Sequence, residues 1–207
     1  MFQHLRFLAA DTLSQQLVAI KKQALPHDDA QRELLTNLTL LRYPHAHTVN
    51  MLDYFVACED KTNTLFIVHP LCDSNLWQAV NANSIRDGQG EAYARGVVSG
   101  VAHMHTHDIV HGDLSLSNCL IDRSGLVRVA DFGAAHSAHG HLVEEERTTP
   151  YCRAPERWFG AKDDAPPVGA WAVGVIVLCL FLNGTALSLI RLRAAPVQKG
   201  FAPQPFS

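Results

Sequence analysis

A polar loop, His111 to Asn118, leads into a short apolar run, a turn, a second apolar run and then Asp131-Phe132-Gly133. No other stretch narrows the fold as much. Cys119 to Ile121, the turn Asp122-Arg123-Ser124-Gly125 and Leu126 to Ala130 predict a hairpin, with glycine supplying the positive φ such turns need. The loops on either side carry Asp113, Asn118 and Asp131. Of these, Asn118 and Asp131 supply hard oxygen ligands suited to Mg²⁺.

Before the loop the chain reads as a small sheet carrying one helix. Leu17 to Ile20 is a strand ending in Lys21 and Lys22, with a turn at Pro26. A helix follows, capped by Asp28 or Asp29, with Ala30, Leu34, Leu35, Leu38 and Leu41 at helical spacing and Arg32 and Glu33 beside that stripe. Val49 to Val56 and Leu65 to Val68 are strand-like, the second stopped by Pro70. From about Glu91 to His107 the positions Ala94, Val97, Val98, Val101 and Met104 or His105 mark one helix face. His136 to Thr149 reads as a mobile surface loop.

Composition excludes several classes. Seventeen Lys and Arg against twenty Asp and Glu, a net charge of −3, give no electrostatic footprint for nucleic acid. Five cysteines without a CxxC pair indicate neither a disulfide framework nor a zinc ribbon, so a reducing, cytoplasmic setting is expected. The N-terminus lacks the apolar core and cleavage site of a secretory signal. His103, His105, His107 and His111 have spacings that permit shared zinc ligation, but they occupy a helix and the loop before Asp113 and are read as structural. His136, His139 and His141 have no accompanying Cys or acidic ligand pattern. The segment Val168 to Ile190 has no charge until Arg191, which raises a membrane span. Its strongly apolar part, Trp171 to Leu182, is the length of a buried helix, with Trp171 and Val175 expected under the polar loop.

Four motifs stand in a fixed order: Val18-Ala19-Ile20-Lys21, then His111 to Asn118, then Asp131-Phe132-Gly133, then Ala154-Pro155-Glu156. By these motifs the chain resembles the eukaryotic protein kinases, from about Ala9 to Leu182. Tyr151-Cys152-Arg153-Ala154-Pro155-Glu156 is similar to the cyclin-dependent and MAP kinase branch. The resemblance implies an α+β, two-lobed fold: a β-rich N-lobe over 1–72, a partial helical C-lobe over 73–182 and an atypical tail over 183–207. It implies a Ser/Thr protein kinase using ATP and Mg²⁺. Lys21 would hold the α- and β-phosphates, oriented by Glu33, with Asn118 and Asp131 as metal ligands. Asp113 would be the base, contacted by Thr149, whose presence favours Ser and Thr over Tyr substrates. Ala19 and Leu120 would sandwich adenine, the backbone of Leu71 and Cys72 would bond it, His69 would stand at the gatekeeper position and Asn75 near the ribose. The implied partners are a protein substrate and an activating or covering protein.

The sequence also departs from the family. It is expected to be incomplete at both ends, with Met1 to Arg6 where half of the Gly-rich loop belongs and His4 at its last glycine. Gly112 replaces an arginine, Ser115 a lysine and Gly169 an aspartate. Asn37 is polar where the family buries an apolar residue, and Glu156 loses its usual arginine partner. Three readings therefore stand: an active kinase, a pseudokinase scaffold or allosteric binding module, and a kinase fragment without function.

Overall fold

The computed structural model describes residues 5–12, 15–25, 27–59, 61–138, 149–158 and 166–182. Met1 to His4, Pro26, His139 and His141, and the tail from Asn183 lie outside those residues. Strands β1 (Leu5–Ala10), β2 (Leu17–Ala24), β3 (Asp53–Glu59) and β4 (Thr62–Pro70) form one antiparallel sheet in the order β1-β2-β4-β3. Helix α1 (Asp28–Arg42) joins β2 to β3 and packs Leu34 and Leu38 against a core of Ala30, Met51, Leu65 and Ile67.

The second half is helical around two small sheets. Strand β5 (Ser74–Asn75) pairs with β7 (Cys119–Ile121), and β7 with β8 (Val127–Val129), while β6 (Ile109–Val110) pairs with β9 (His136–Ser137). Helices α2 (Leu76–Asn81), α3 (Gln89–Thr106), α4 (Pro155–Trp158) and α5 (Pro166–Phe181) complete it. Val97, Val101, Met104, Leu116, Phe132 and Ile176 are centres of the main core. The two halves are tied where Val129 donates to His47 O and Val49 donates to Val129 O, each at 2.9 Å.

Several expectations are corrected. Strand β2 continues past Lys22 to Ala24, so Gln23 lies within it. Helix α1 is preceded by His27, which makes no side-chain cap; Asp28 and Asp29 sit in its first turn, where negative charge suits the helix dipole. Its buried face is Ala30, Glu33, Thr36, Asn37 and Leu40, whereas Leu35 and Leu41 are exposed. The helix is rotated because Glu33 must meet Lys21. The strand expected from Val49 starts only at Asp53, since the amides of Val49 and Leu52 reach across to Val129 and Val68. Val98 is exposed on α3, beside a stripe that otherwise follows the expected face.

On α5, Ala172, Ile176, Cys179 and Leu180 are buried and Trp171 faces solvent at 45% exposure, so Ala172 and not Trp171 turns inward. Val175 is only partly buried. Among the described residues no helix is long and apolar enough to cross a membrane. Glu156 is exposed, so the carboxylate expected to lack its arginine is solvated, and no buried charge results.

Candidate active site

Alternation along β2 sends Lys21 and Gln23 to the same buried side, facing α1. From α1, Glu33 meets them. Lys21 Nζ donates to both Glu33 oxygens, at 2.8 and 2.7 Å, and to Asp131 Oδ1 at 2.6 Å. Gln23 Nε2 donates to Glu33 Oε2. Burial pushes the Glu33 carboxyl above the usual carboxylate range, the Lys21 charge opposes this, and Asp131 adds to it. Asp131 itself adopts φ +67, a left-handed conformation that is costly for a residue with a Cβ and is often found at functional sites.

The polar loop is fixed from behind by His111. Its ring is buried, its Nε2 donates to Ala130 O at 3.0 Å, and the Asp113 amide donates to Nδ1 at 3.3 Å. Burial holds this imidazole below its ordinary pKa, and its two bonds suit the neutral ring. Asp113 Oδ1 accepts from the Thr149 amide at 2.7 Å and from its hydroxyl at 2.6 Å. Asn118 Nδ2 donates to Asp113 O at 2.7 Å and to Oδ2 at 3.3 Å. Because Ala130 donates to Asn118 O at 2.9 Å, Asn118 is held one residue from Asp131.

A cleft of about 370 Å³ lies against the sheet and reaches Ala130 and Asp131. Lys21, Glu33 and Asp131 line it together with the apolar Ala19 and Leu120. His69, Leu71, Cys72 and Asn75 also line it, so every residue expected around a base and ribose faces one space. Asn75 has a second task the sequence reading missed: its side chain accepts from the Gln78 amide and caps α2. His69 Nε2 is 3.1 Å from Asn37 Oδ1, and Asn37 Nδ2 donates to Glu33 O at 2.8 Å. Asn37 is fully buried, and this pair explains how a polar residue is accommodated there.

Ser115 is also buried, and the Tyr151 phenol lies near Ser117 and Ser115. Burial raises that phenol to about 12. Tyr151 stacks on Trp77 with ring centroids 5.5 Å apart. The histidines read as structural make local bonds: His103 Nε2 to Tyr43 O at 2.8 Å and His107 Nδ1 to His103 O at 2.9 Å. Among the described residues no group of three or more His, Cys, Asp and Glu is placed to hold a metal ion. Gln23 is not among the expected site residues because the expected strand ends in Lys21 and Lys22. Its signal was the two-residue spacing from Lys21.

A family model described as protein kinase domain matches residues 7–192. The chain is 30% identical over 185 residues to cyclin-dependent kinase 7 of Carassius auratus, covering 86% of this chain and 53% of that protein. It is 32% identical over 187 residues to mitogen-activated protein kinase sma-5 of Caenorhabditis elegans, covering 81% of this chain and 36% of that protein. The chain thus spans about half the length of the first relative and less of the second. The crystal structure of the yeast RNA Pol II CTD kinase CTDK-1 complex has a similar fold, with a TM-score of 0.73 and 23% identity, over 86% of this chain and 59% of that one.

Proposed function

We propose that this chain, which belongs to the protein kinase domain family, transfers the γ-phosphoryl group of ATP to Ser and Thr hydroxyls of a protein substrate. One observation carries the reading: Lys21 is held between Glu33 and Asp131 while Asp113 is held by Thr149 and Asn118.

Phosphoryl transfer demands positioning and charge stabilisation more than covalent chemistry. Ala19 and Leu120 supply apolar faces for a flat base, and the backbone of Leu71 and Cys72 its polar edge. Lys21 binds phosphate oxygens, and Glu33 keeps the ammonium pointed into the cleft. Asp131 and Asn118 fit a divalent cation by chemistry: the Asn118 amide nitrogen is engaged by Asp113, so its oxygen remains as the hard ligand. Mg²⁺ at these oxygens would neutralise charge developing on the phosphates. Asp113 Oδ1 is engaged by Thr149, and Oδ2, which takes only the longer 3.3 Å bond from Asn118, would orient the substrate hydroxyl and receive its proton. The threonine contact supports Ser and Thr acceptors. All five cysteines are free thiols, in keeping with a reducing intracellular setting. Exposed Trp171, Leu178 and Phe181 on α5 support a covering partner.

A second reading, nucleotide binding without transfer, is favoured by Ser115. Where a lysine would bring charge to the γ-phosphate, this chain has a buried, uncharged serine. The experiment is a melting series with Mg-ATP followed by radiolabel transfer. Nucleotide at a hundred times its dissociation constant should stabilise the fold by about 2.7 kcal/mol. Asp131→Ala should remove the Mg²⁺-dependent part. A shift without transfer selects the second reading, and no shift in wild type rejects both.

A further inference from the structure

Two carboxylates, Glu33 and Asp131, compete for one ammonium, that of Lys21. Lys21 and Glu33 are 4% and 1% exposed, so solvent does little to arbitrate. The outcome depends on what else holds Glu33. Among the described residues, the Glu33 carboxylate accepts from Gln23 as well as from Lys21. We propose that Gln23 is a positioning residue for the phosphate-binding lysine: its amide fixes the Glu33 carboxylate so that Lys21 stays between Glu33 and Asp131. This rests on the Mg-ATP reading for its consequence, though not for its geometry.

The amide has one workable orientation. Turned over, it would aim a carbonyl oxygen at a carboxylate, so the nitrogen must face Glu33. The cost is visible at the other end. Gln23 Oε1 is buried and has no hydrogen-bond partner among the described residues, while the side chain as a whole is 6% exposed. A leucine would fit a strand side of this kind without stranding an acceptor. What only the amide supplies is a neutral N–H donor. A cationic side chain would draw Glu33 away from Lys21, and an apolar one would leave Oε2 to Lys21 alone. Freed from Gln23, the Glu33 carboxylate can turn, which leaves Lys21 to Asp131 alone and withdraws the ammonium from phosphate.

The role separates from simple stabilisation because the two predict different outcomes. Gln23→Leu removes both a useful donor and a stranded acceptor, and Gln23→Met does the same with an unbranched chain. Both should melt within a few degrees of wild type yet bind Mg-ATP about tenfold more weakly, as the loss of a hydrogen bond to a charged group implies. Adenosine, which lacks phosphates, should bind all three proteins equally. Gln23→His places an N–H the same number of bonds from Cα and should restore Mg-ATP binding. Gln23→Asn, one methylene shorter, should not. Independently of nucleotide, the protected Lys21 ammonium should give a ¹⁵N-correlated proton resonance in wild type and in Gln23→His, broadened or shifted in Gln23→Leu and Gln23→Met. Equal Mg-ATP affinity in wild type, Gln23→Leu and Gln23→Met, or an unchanged lysine resonance, overturns the proposal. If the wild-type chain binds no Mg-ATP, the functional reading fails, and the lysine resonance alone decides the role of Gln23.

Discussion

Thr149 reaches Asp113 twice, through its amide at 2.7 Å and its hydroxyl at 2.6 Å, and both bonds end on Oδ1. The residues lie 36 apart in sequence. This double contact leaves the carboxylate no freedom to turn. Asp113→Asn should therefore lower phosphoryl transfer about 10²–10⁴-fold, the usual cost of losing a positioned base. Thr149→Val, which keeps the amide bond, should cost less than Asp113→Asn. Radiolabel transfer to a protein acceptor, resolved into phosphoserine, phosphothreonine and phosphotyrosine, measures both effects. Transfer by Asp113→Asn equal to wild type would assign the activity elsewhere.

Gly112 should resist replacement. Its φ is +75, and a Cβ built there lies 2.2 Å from Ala134 O. Restoring an arginine at this position thus requires the backbone to move. Gly112→Ala and Gly112→Arg should each destabilise the chain by at least about 1–3 kcal/mol, the strain typical of such conformations. Urea denaturation gives the value. Wild-type stability in either variant would mean that the Ala134 segment yields.

The polar pair of buried Asn37 and half-buried His69 should behave non-additively. Asn37→Leu leaves the His69 ring without its 3.1 Å partner and should cost about 1–3 kcal/mol. Asn37→Leu combined with His69→Leu replaces both groups by apolar ones and should recover much of that loss. A double variant with the sum of the two single losses would show that the pair is not coupled.

Thiol reactivity should follow burial. Cys119 and Cys179 are pushed up to about 12 and about 11 by burial, and Cys152 is raised further. Exposed Cys58 should alkylate first. Cys72, half-buried in the cleft and also raised chiefly by burial, should react slowly and be protected by nucleotide. Mass spectrometry of timed alkylation resolves the order. Early labelling of Cys119 would contradict the packing described.

Asp122 sets an acid limit on the hairpin. Although partial burial acts to raise it, hydrogen bonds from Ser124, Arg128 and the Leu126 amide hold its carboxyl at about 2, below the ordinary 3.8. A depressed folded value means stability that is complete above the unfolded pKa and is lost as pH falls through the folded one. The β7–β8 turn should therefore weaken between about pH 4 and pH 2. Asp122→Asn should flatten that part of the stability profile, followed by pH-dependent denaturation. An unchanged profile would assign the acid limb to another carboxylate.

Local signals were sufficient for much of this. The β7–β8 hairpin follows from its apolar runs and its Asp-Arg-Ser-Gly turn, and Gly125 takes φ +82. Helix α3 agrees with its apolar period to within two residues at its start and one at its end. Motif order and spacing identify Lys21, Asp113, Asn118 and Asp131, whereas Glu33 is named as the acid inside the helix that follows and Thr149 through the family resemblance. Their mutual bonds were not legible. Lys21 and Asp131 are 110 residues apart, and no periodicity relates them.

What the sequence alone determined was chemistry and local form: which side chains carry charge, where the turns fall and which segments repeat at helix or strand spacing. Only the tertiary structure decided which way α1 rolls, and it did so against the leucine pattern. Satisfying the buried Lys21 charge with Glu33 brings Asn37 inward and turns Leu35 and Leu41 to solvent. Trp171 faces out on α5 for a related reason, since the small Ala172 is the residue that is buried there. Period and propensity report a segment's own preferences. A buried charge is settled by partners that arrive from distant parts of the chain, and an unpaired one costs more than a few exposed leucines.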